Sequence, residues 1–265
     1  MNTQREQLQR DVGGQMHRHL SGGSWTVREQ MAIGCRYLAR EGHCETLAGQ
    51  ITVRLEGGRN EGGQLATTPL GTAFDELRPA DVLLVDQDLK TLEGDGMANP
   101  ATRFHLWVYR ARADVNCIVH THPPAVSALS MIGQPLIVAH MDQTPFHDDC
   151  AFLAKWPGLP IADDEGEIIA GALGAKRSIL LAHHGLLTAG RDVAEAIYLA
   201  VMFEQAAKRQ LMAAAAGTIV PVDAALARES HDFLLQPSIV GASFAMYARR
   251  LLRSDGDFLS AEPAP

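Results

Sequence analysis

No apolar run in this 265-residue chain reaches the roughly 18 residues that a membrane-spanning helix needs. The opening residues, Met1-Asn2-Thr3-Gln4-Arg5-Glu6-Gln7, hold no apolar stretch of the kind a secretory leader uses, so a cytoplasmic protein without a membrane partner is expected. Basic charge is also short. The 23 Lys and Arg against 31 Asp and Glu leave a formal net charge of -8, which disfavours nucleic acid as a partner. Small molecules of either sign stay open, because a pocket can be cationic within an acidic protein. Cysteine is scarce and dispersed: Cys35, Cys44, Cys117 and Cys150 make no Cys-x-x-Cys pair, and reduced, mostly buried thiols are expected in place of a disulfide framework. Proline, glycine and serine are scattered as turn punctuation, with no linker and no repeat period. The expectation is one domain over 1–265 with flexible ends near 1–24 and 254–265.

What the chain does have is 46% hydrophobic residues, enough for a sizeable core, and histidines at the ends of apolar runs. Cys117-Ile118-Val119 leads directly into His120-Thr121-His122-Pro123-Pro124. Residues two apart on a strand project to the same side, so both imidazoles can reach one ion. A second apolar run, Ser178 to Ala182, ends in His183-His184-Gly185 and offers a third imidazole. Three neutral imidazoles with one position left for water or substrate make the ligand set of a catalytic metal site. His17 and His19 have the same spacing as the first pair but lie in a polar stretch, and are expected to bind nothing. His183 should face away from His184 if the strand stays regular, as a packing or supporting residue.

The elements around these histidines follow from local signals. Thr26-Val27-Arg28-Glu29 has the capping-box pattern and opens a helix that should run to Gly42. In Gln50-Ile51-Thr52-Val53-Arg54-Leu55 alternation puts Ile51, Val53 and Leu55 on a core face and Gln50, Thr52 and Arg54 on the other. Thr67-Thr68-Pro69-Leu70-Gly71 reads as a turn, and Asp81 to Asp86 as a buried strand. A helix over about 102–113 leads into the Cys117 strand, Pro123 suits the first turn of the next helix, and the longest helix should run from Asp192 to about Ala216. Strands and helices alternating in this way argue for an α/β layered domain.

With those residues in place, the chain resembles the class II aldolase/adducin family over roughly residues 25–220. The segments that carry the likeness are Gly49 to Arg54, Thr68-Pro69-Leu70-Gly71, Phe74 to Asp86, His105 through Arg110-Ala111-Arg112, Val119 to Pro123, and His184-Gly185-Leu186-Leu187. The resemblance implies a three-layer αβα fold with a central, largely antiparallel sheet. It also implies a divalent metal ion, Mn2+ or Zn2+, held by His120, His122 and His184, and a homo-oligomer with active sites between subunits.

The departures from the family pattern speak about chemistry. Its aldolases carry an acid/base glutamate in a Ser-Ser-Glu segment, which falls here on Asn99-Pro100-Ala101. A methyl group cannot move a proton. Gln50 stands where an asparagine is usual and Leu70 where a serine or threonine is usual, so several donors to a phosphate are gone. Each charge-assisted hydrogen bond is worth about 1.5–3 kcal/mol, which disfavours a sugar phosphate. Without the glutamate the metal has room for a chelating substrate, such as an aromatic ring bearing a hydroxyl beside a carboxylate.

Decarboxylation needs no base to begin, only an electron sink and then a proton donor. The chain looks like the decarboxylase branch of the family, acting on a hydroxylated aromatic or heteroaromatic mono- or dicarboxylate through a metal-stabilised enolate-type intermediate. In this picture Gln50, Leu70, Asn99 and Arg103 line the substrate, and His147 is the candidate catalytic acid. A loop histidine bonded to Asp148 or Asp149 is the alternative for His147. Arg54 is expected to be a solvated arginine, and His105 is as well explained by a satisfied core histidine. An aldolase or epimerase acting on an unphosphorylated substrate, and a non-catalytic adducin-like binding module, remain alternatives. The retained triad argues against the binding module.

Overall fold

A computed structural model describes residues 3–20, 23–55, 63–159 and 163–259. The chain begins with the exposed helix α1 (Thr3–His19), followed by α2 (Val27–Arg40), whose N-cap Thr26 forms the expected capping box with Glu29. Gly42 follows α2 with φ +84°, a conformation that costs a residue without a side chain little. Strands β1 (Gln50–Arg54), β2 (Leu65–Thr67), β3 (Leu83–Val85) and β4 (Thr91–Glu93) then form a meander with antiparallel pairing throughout. The Asp81 to Asp86 run yields only the three residues of β3, because Pro79–Asp81 closes into a 3-10 turn.

Helix α3 (Arg103–Ala111) leads to β5 (Cys117–Thr121), and α4 (Pro124–Met131) starts one residue later than expected, with Pro123 as its N-cap. Next come β6 (Cys150–Leu153), α5 (Asp163–Leu173), β7 (Ser178–Leu181) and β8 (Leu186–Gly190). The long helix α6 (Val193–Ala216) is capped by Asp192, whose carboxylate accepts from the Glu195 amide, and α7 (Ala224–Leu234) and α8 (Pro237–Leu252) follow.

The eight strands make one sheet in the order β4-β3-β2-β1-β5-β8-β7-β6, with only the β6/β7 pair parallel. Ile51, Val53, Cys117, Val119, Leu180 and Leu186 face one core, built with α2, α4, α6 and α8. Ile118, Ile179, Leu181, Leu187 and Ala189 face a second core closed by residues of α3 and α5. This is the three-layer αβα arrangement with a largely antiparallel sheet. Burial on both faces corrects the simple alternation expected for β1. Gln50 and Thr52 are as buried as Ile51, because α3 lies over their side of the sheet. The far C-terminal residues of the end near 254–265 lie outside the described residues.

Candidate metal centre

Strand pairing decides where the chemistry sits. Thr121 pairs with Leu186 and Cys117 with Gly190, so the end of β5 carrying the His-Thr-His run meets the turn that joins β7 to β8. Gln50 pairs with His120 on the other side. His120, His122 and His184 come together with ligand nitrogens within 4.8 Å of one another. The Nε2 atoms of His120 and His122 are 3.0 Å apart.

His184 reaches this place by a turn that regular strand geometry would not give. β7 stops at Leu181, His183 adopts φ +57°, and its side chain is exposed. The left-handed residue reverses the chain, so the alternation expected between His183 and His184 does not apply. Gly185 makes the close approach possible: a Cβ there would lie 2.4 Å from the Thr121 carbonyl oxygen and 2.6 Å from His122 Cδ2. The signal for this close approach in the sequence is a glycine placed directly after the ligand histidine.

The electrostatics suit a cation. The Nδ1–H of His120 donates to the Leu186 carbonyl at 2.7 Å, which leaves Nε2 as a lone pair facing His122. Burial holds His120 well below the ordinary imidazole range, with further lowering from His184 and His122. Burial also lowers His122, and brings His184 down to about 4 with help from His122. All three rings are therefore neutral at pH 7, as metal ligands must be. Three convergent, unprotonated imidazoles fit a divalent ion.

Around the triad, buried polar atoms are left without partners. Gln50 is 1% exposed and its Nε2 has no hydrogen-bond partner among the described residues. His105 is fully buried and its Nε2 is likewise unpaired, so it is not the satisfied core histidine of the simpler expectation. Its protonation follows from bond accounting. The Tyr109 hydroxyl donates its one proton to the Thr52 carbonyl at 2.9 Å. Thr52 Oγ1, 2.8 Å from the Tyr109 oxygen, must then donate to it, and His105 Nδ1–H donates to Thr52 Oγ1 at 2.9 Å. His105 Nε2 is left a bare lone pair, and burial lowers its pKa to about 3.

The remaining residues divide by position. Asn99 caps the short 3-10 turn Pro100–Thr102, its side-chain oxygen accepting from the Ala101 amide at 3.0 Å. Ala101 lies in the middle of that turn. Arg103 is partly exposed, with a loose 4.0 Å ion pair to Asp163. Leu70 is partly exposed beyond the end of β2. Arg54 is neither solvated nor at the triad: it bonds the Tyr109 and Arg112 carbonyls at the end of α3 and stacks on the Tyr109 ring. His147 lies elsewhere. It precedes β6, whose first residue Cys150 pairs with Ser178, at the opposite end of β7 from His184. There its Nε2 is 3.5 Å from Asp148. His17 and His19 lie on α1, away from any histidine cluster among the described residues.

Residues 29–211 match the class II aldolase and adducin N-terminal domain. The chain is 31% identical over 236 residues to decarboxylase NovR of Streptomyces niveus, spanning 88% of this chain and 86% of that protein. It is 33% identical over 200 residues to 4-hydroxy-3-prenylphenylpyruvate oxygenase/4-hydroxy-3-prenylbenzoate synthase of Streptomyces roseochromogenus subsp. oscitans, spanning 74% and 71%. Among solved structures, L-fuculose 1-phosphate aldolase from Glaciozyma antarctica PI12 superposes with a TM-score of 0.80 at 28% identity, covering 88% of this chain and 92% of that one.

Proposed function

The chain belongs to the class II aldolase and adducin family, and within it we propose a metal-dependent decarboxylase of a hydroxylated aromatic or heteroaromatic mono- or dicarboxylate. The observation that carries this is the complete histidine triad, and the resemblance, which sets Ala101 where the family's aldolases carry an acid/base glutamate, supports it. The likeness to a relative named as a decarboxylase supports it, and that relative's substrate is not transferred.

His120, His122 and His184 would hold the divalent ion, Mn2+ or Zn2+, which when bound supplies a Lewis acid to accept electron density as a carbon–carbon bond breaks. The protein supplies position and proton. Gln50 offers its unpaired amide to a substrate oxygen, Asn99 offers the amide nitrogen that its capping role leaves over, and Arg103 can meet a carboxylate with two parallel hydrogen bonds. Leu70 lines the outer side. Once carbon dioxide has left with the carboxyl carbon, the electron pair remaining on the ring carbon takes up one proton. His147 is our candidate donor, and its place at the other end of its own sheet means it would act from a neighbouring subunit of a homo-oligomer. We place this single-domain protein in the cytoplasm.

The test is metal content of the purified protein, followed by carbon dioxide release from a panel of ortho-hydroxy aromatic acids. Stoichiometric metal with release from at least one acid is expected. Absence of bound metal, or aldol cleavage of an unphosphorylated sugar without any decarboxylation, would overturn the proposal.

A further inference from the structure

The hydrogen-bond chain between β1 and α3 ends in an atom without a partner. Arg54 bonds the Tyr109 and Arg112 carbonyls, and Thr52 meets both Tyr109 and His105, so α3 crosses β1 with its first turn toward the Gln50 end. Gln50 in turn pairs with His120. Phe104 meets both His105 and His120 nearly at right angles, with ring centroids 4.6 and 4.9 Å apart, and His105 lies close enough to His120 to disfavour its protonation. His105 Nε2 and Gln50 Nε2 have no partner among the described residues, and Thr102 Oγ1, at the start of α3, is also buried without one.

The chain fixes what the His105 nitrogen can do. Tyr109 gives its proton to the Thr52 carbonyl, Thr52 Oγ1 gives its own to the Tyr109 oxygen, and His105 Nδ1 gives its proton to Thr52 Oγ1. Every hydrogen in the chain is then committed. His105 Nε2 is thereby an acceptor, and a buried acceptor calls for an O–H or N–H. A carboxylate or an ether has no proton to give it. Gln50 Nε2 makes the opposite demand, for an acceptor, and a hydroxyl can answer either one.

We propose that His105 accepts a hydrogen bond from a protic group of the substrate, a second ring hydroxyl beyond the one that chelates, and that Tyr109 and Thr52 are positioning residues that hold His105 in its accepting form. This deepens the decarboxylase proposal and rests on it for the kind of ring that occupies the site. Tyr109 and Thr52 act only through His105. A site built to pair a substrate hydroxyl discriminates strongly against an analogue without it, because the buried partner is then left unpaired.

Nitrogen NMR of the histidine-labelled protein, with the His105 signals assigned through His105→Gln, reads which ring nitrogen carries the proton. In the unaltered protein it should be Nδ1. In Tyr109→Phe the Thr52 hydroxyl loses its acceptor and can turn to His105 Nδ1, so the proton should move to Nε2, whereas Thr52→Ser should keep the original form. Binding to the metal-loaded protein is then measured by calorimetry for salicylates with a second hydroxyl at each free ring carbon. Each is compared with its fluoro counterpart, which is of similar size and cannot donate. At least one hydroxy acid should bind about tenfold or more tighter than its fluoro counterpart, and in Tyr109→Phe that ratio should fall toward one. A proton on Nε2 in the unaltered protein, or a form that Tyr109→Phe leaves unchanged, would overturn the assignment. Equal binding of hydroxy and fluoro acids with Nε2 unprotonated would give the acceptor to a bound water and overturn its role toward the substrate. A preference that depends on Tyr109, without carbon dioxide release from any acid, would uphold His105 and sink the decarboxylase proposal. Release without preference would do the reverse.

Discussion

Both ends of the central sheet bury polar side chains and differ in how those side chains are satisfied. At the triad end, three imidazoles face one another uncharged, and Gln50 and His105 keep unpaired nitrogens in the interior. At the opposite end, Arg177, Arg191, Glu195 and His231 line a cavity of about 300 Å³. There the charges close on each other. Glu195, its side chain 1% exposed, accepts from the Arg191 amide and guanidinium and lies 3.5 Å from Arg177, while Asp149 meets Arg177 at 3.1 Å and His231 at 3.2 Å. The end with the cavity is thus the one whose charges pair with each other. Three convergent neutral imidazoles with the unpaired nitrogens of Gln50 and His105 beside them, rather than concavity or charge, make the triad end the candidate for a ligand.

The sharpest way to break this contrast is to remove a ligand. In His120→Ala and His184→Ala, metal measured by elemental analysis should drop to background and activity with it. Full occupancy in both variants would remove the ligand assignment, and His17→Ala should keep normal occupancy.

A smaller loss is expected for the proposed proton donor. His147→Asn should retain metal and substrate binding while turnover falls by about 10²- to 10⁴-fold, the usual weight of general acid catalysis. Because His147 would act across subunits, mixed oligomers of His147→Asn and His120→Ala should recover activity that neither variant has alone. If mixing recovers nothing, the donor lies elsewhere.

The paired end should respond in stability and not in metal. Glu195→Ala removes the partner of the Arg191 backbone donor and of two guanidiniums that can still reach water. A cost of about 1–3 kcal/mol in denaturant unfolding is expected, with metal content unchanged. Loss of metal in that variant would mean the two ends are not independent.

The two ends should also answer pH in opposite senses in the metal-free protein. His184 is lowered from 6.5 to about 4, so the unfolded chain takes up a proton that the folded one refuses, and stability falls as pH drops from 6.5 toward 4. His231 is raised above 6.5, first by its hydrogen bond to Asp149, so its contribution is complete below 6.5 and is lost as pH rises through the raised value. Denaturation midpoints across pH should show both limbs. His184→Asn should make the acidic limb shallower, leaving the share that His120, His122 and His105 contribute, and His231→Asn should flatten the alkaline one; an unchanged limb in either variant would reassign it.

Much of this protein is written in short stretches of sequence. The capping box at Thr26, the Asp192 cap and the length of α6, and the His-x-His strand end are all legible from residues a few positions apart, because caps and strand alternation are local physics. Strands β2 and β4 were not legible, since three residues are too few to establish a period. What only the tertiary structure decided is which distant pieces meet. Pairing of β5 with β8 set His184 beside His120, the cover of α3 buried Gln50 and Thr52, and the parallel β6/β7 pair carried His147 to the far end of its own sheet. A strand's pattern states which residues share a face but not which strand lies next to it or in what direction. That choice is made by the burial of both sheet faces at once, and it cannot be read from any one segment.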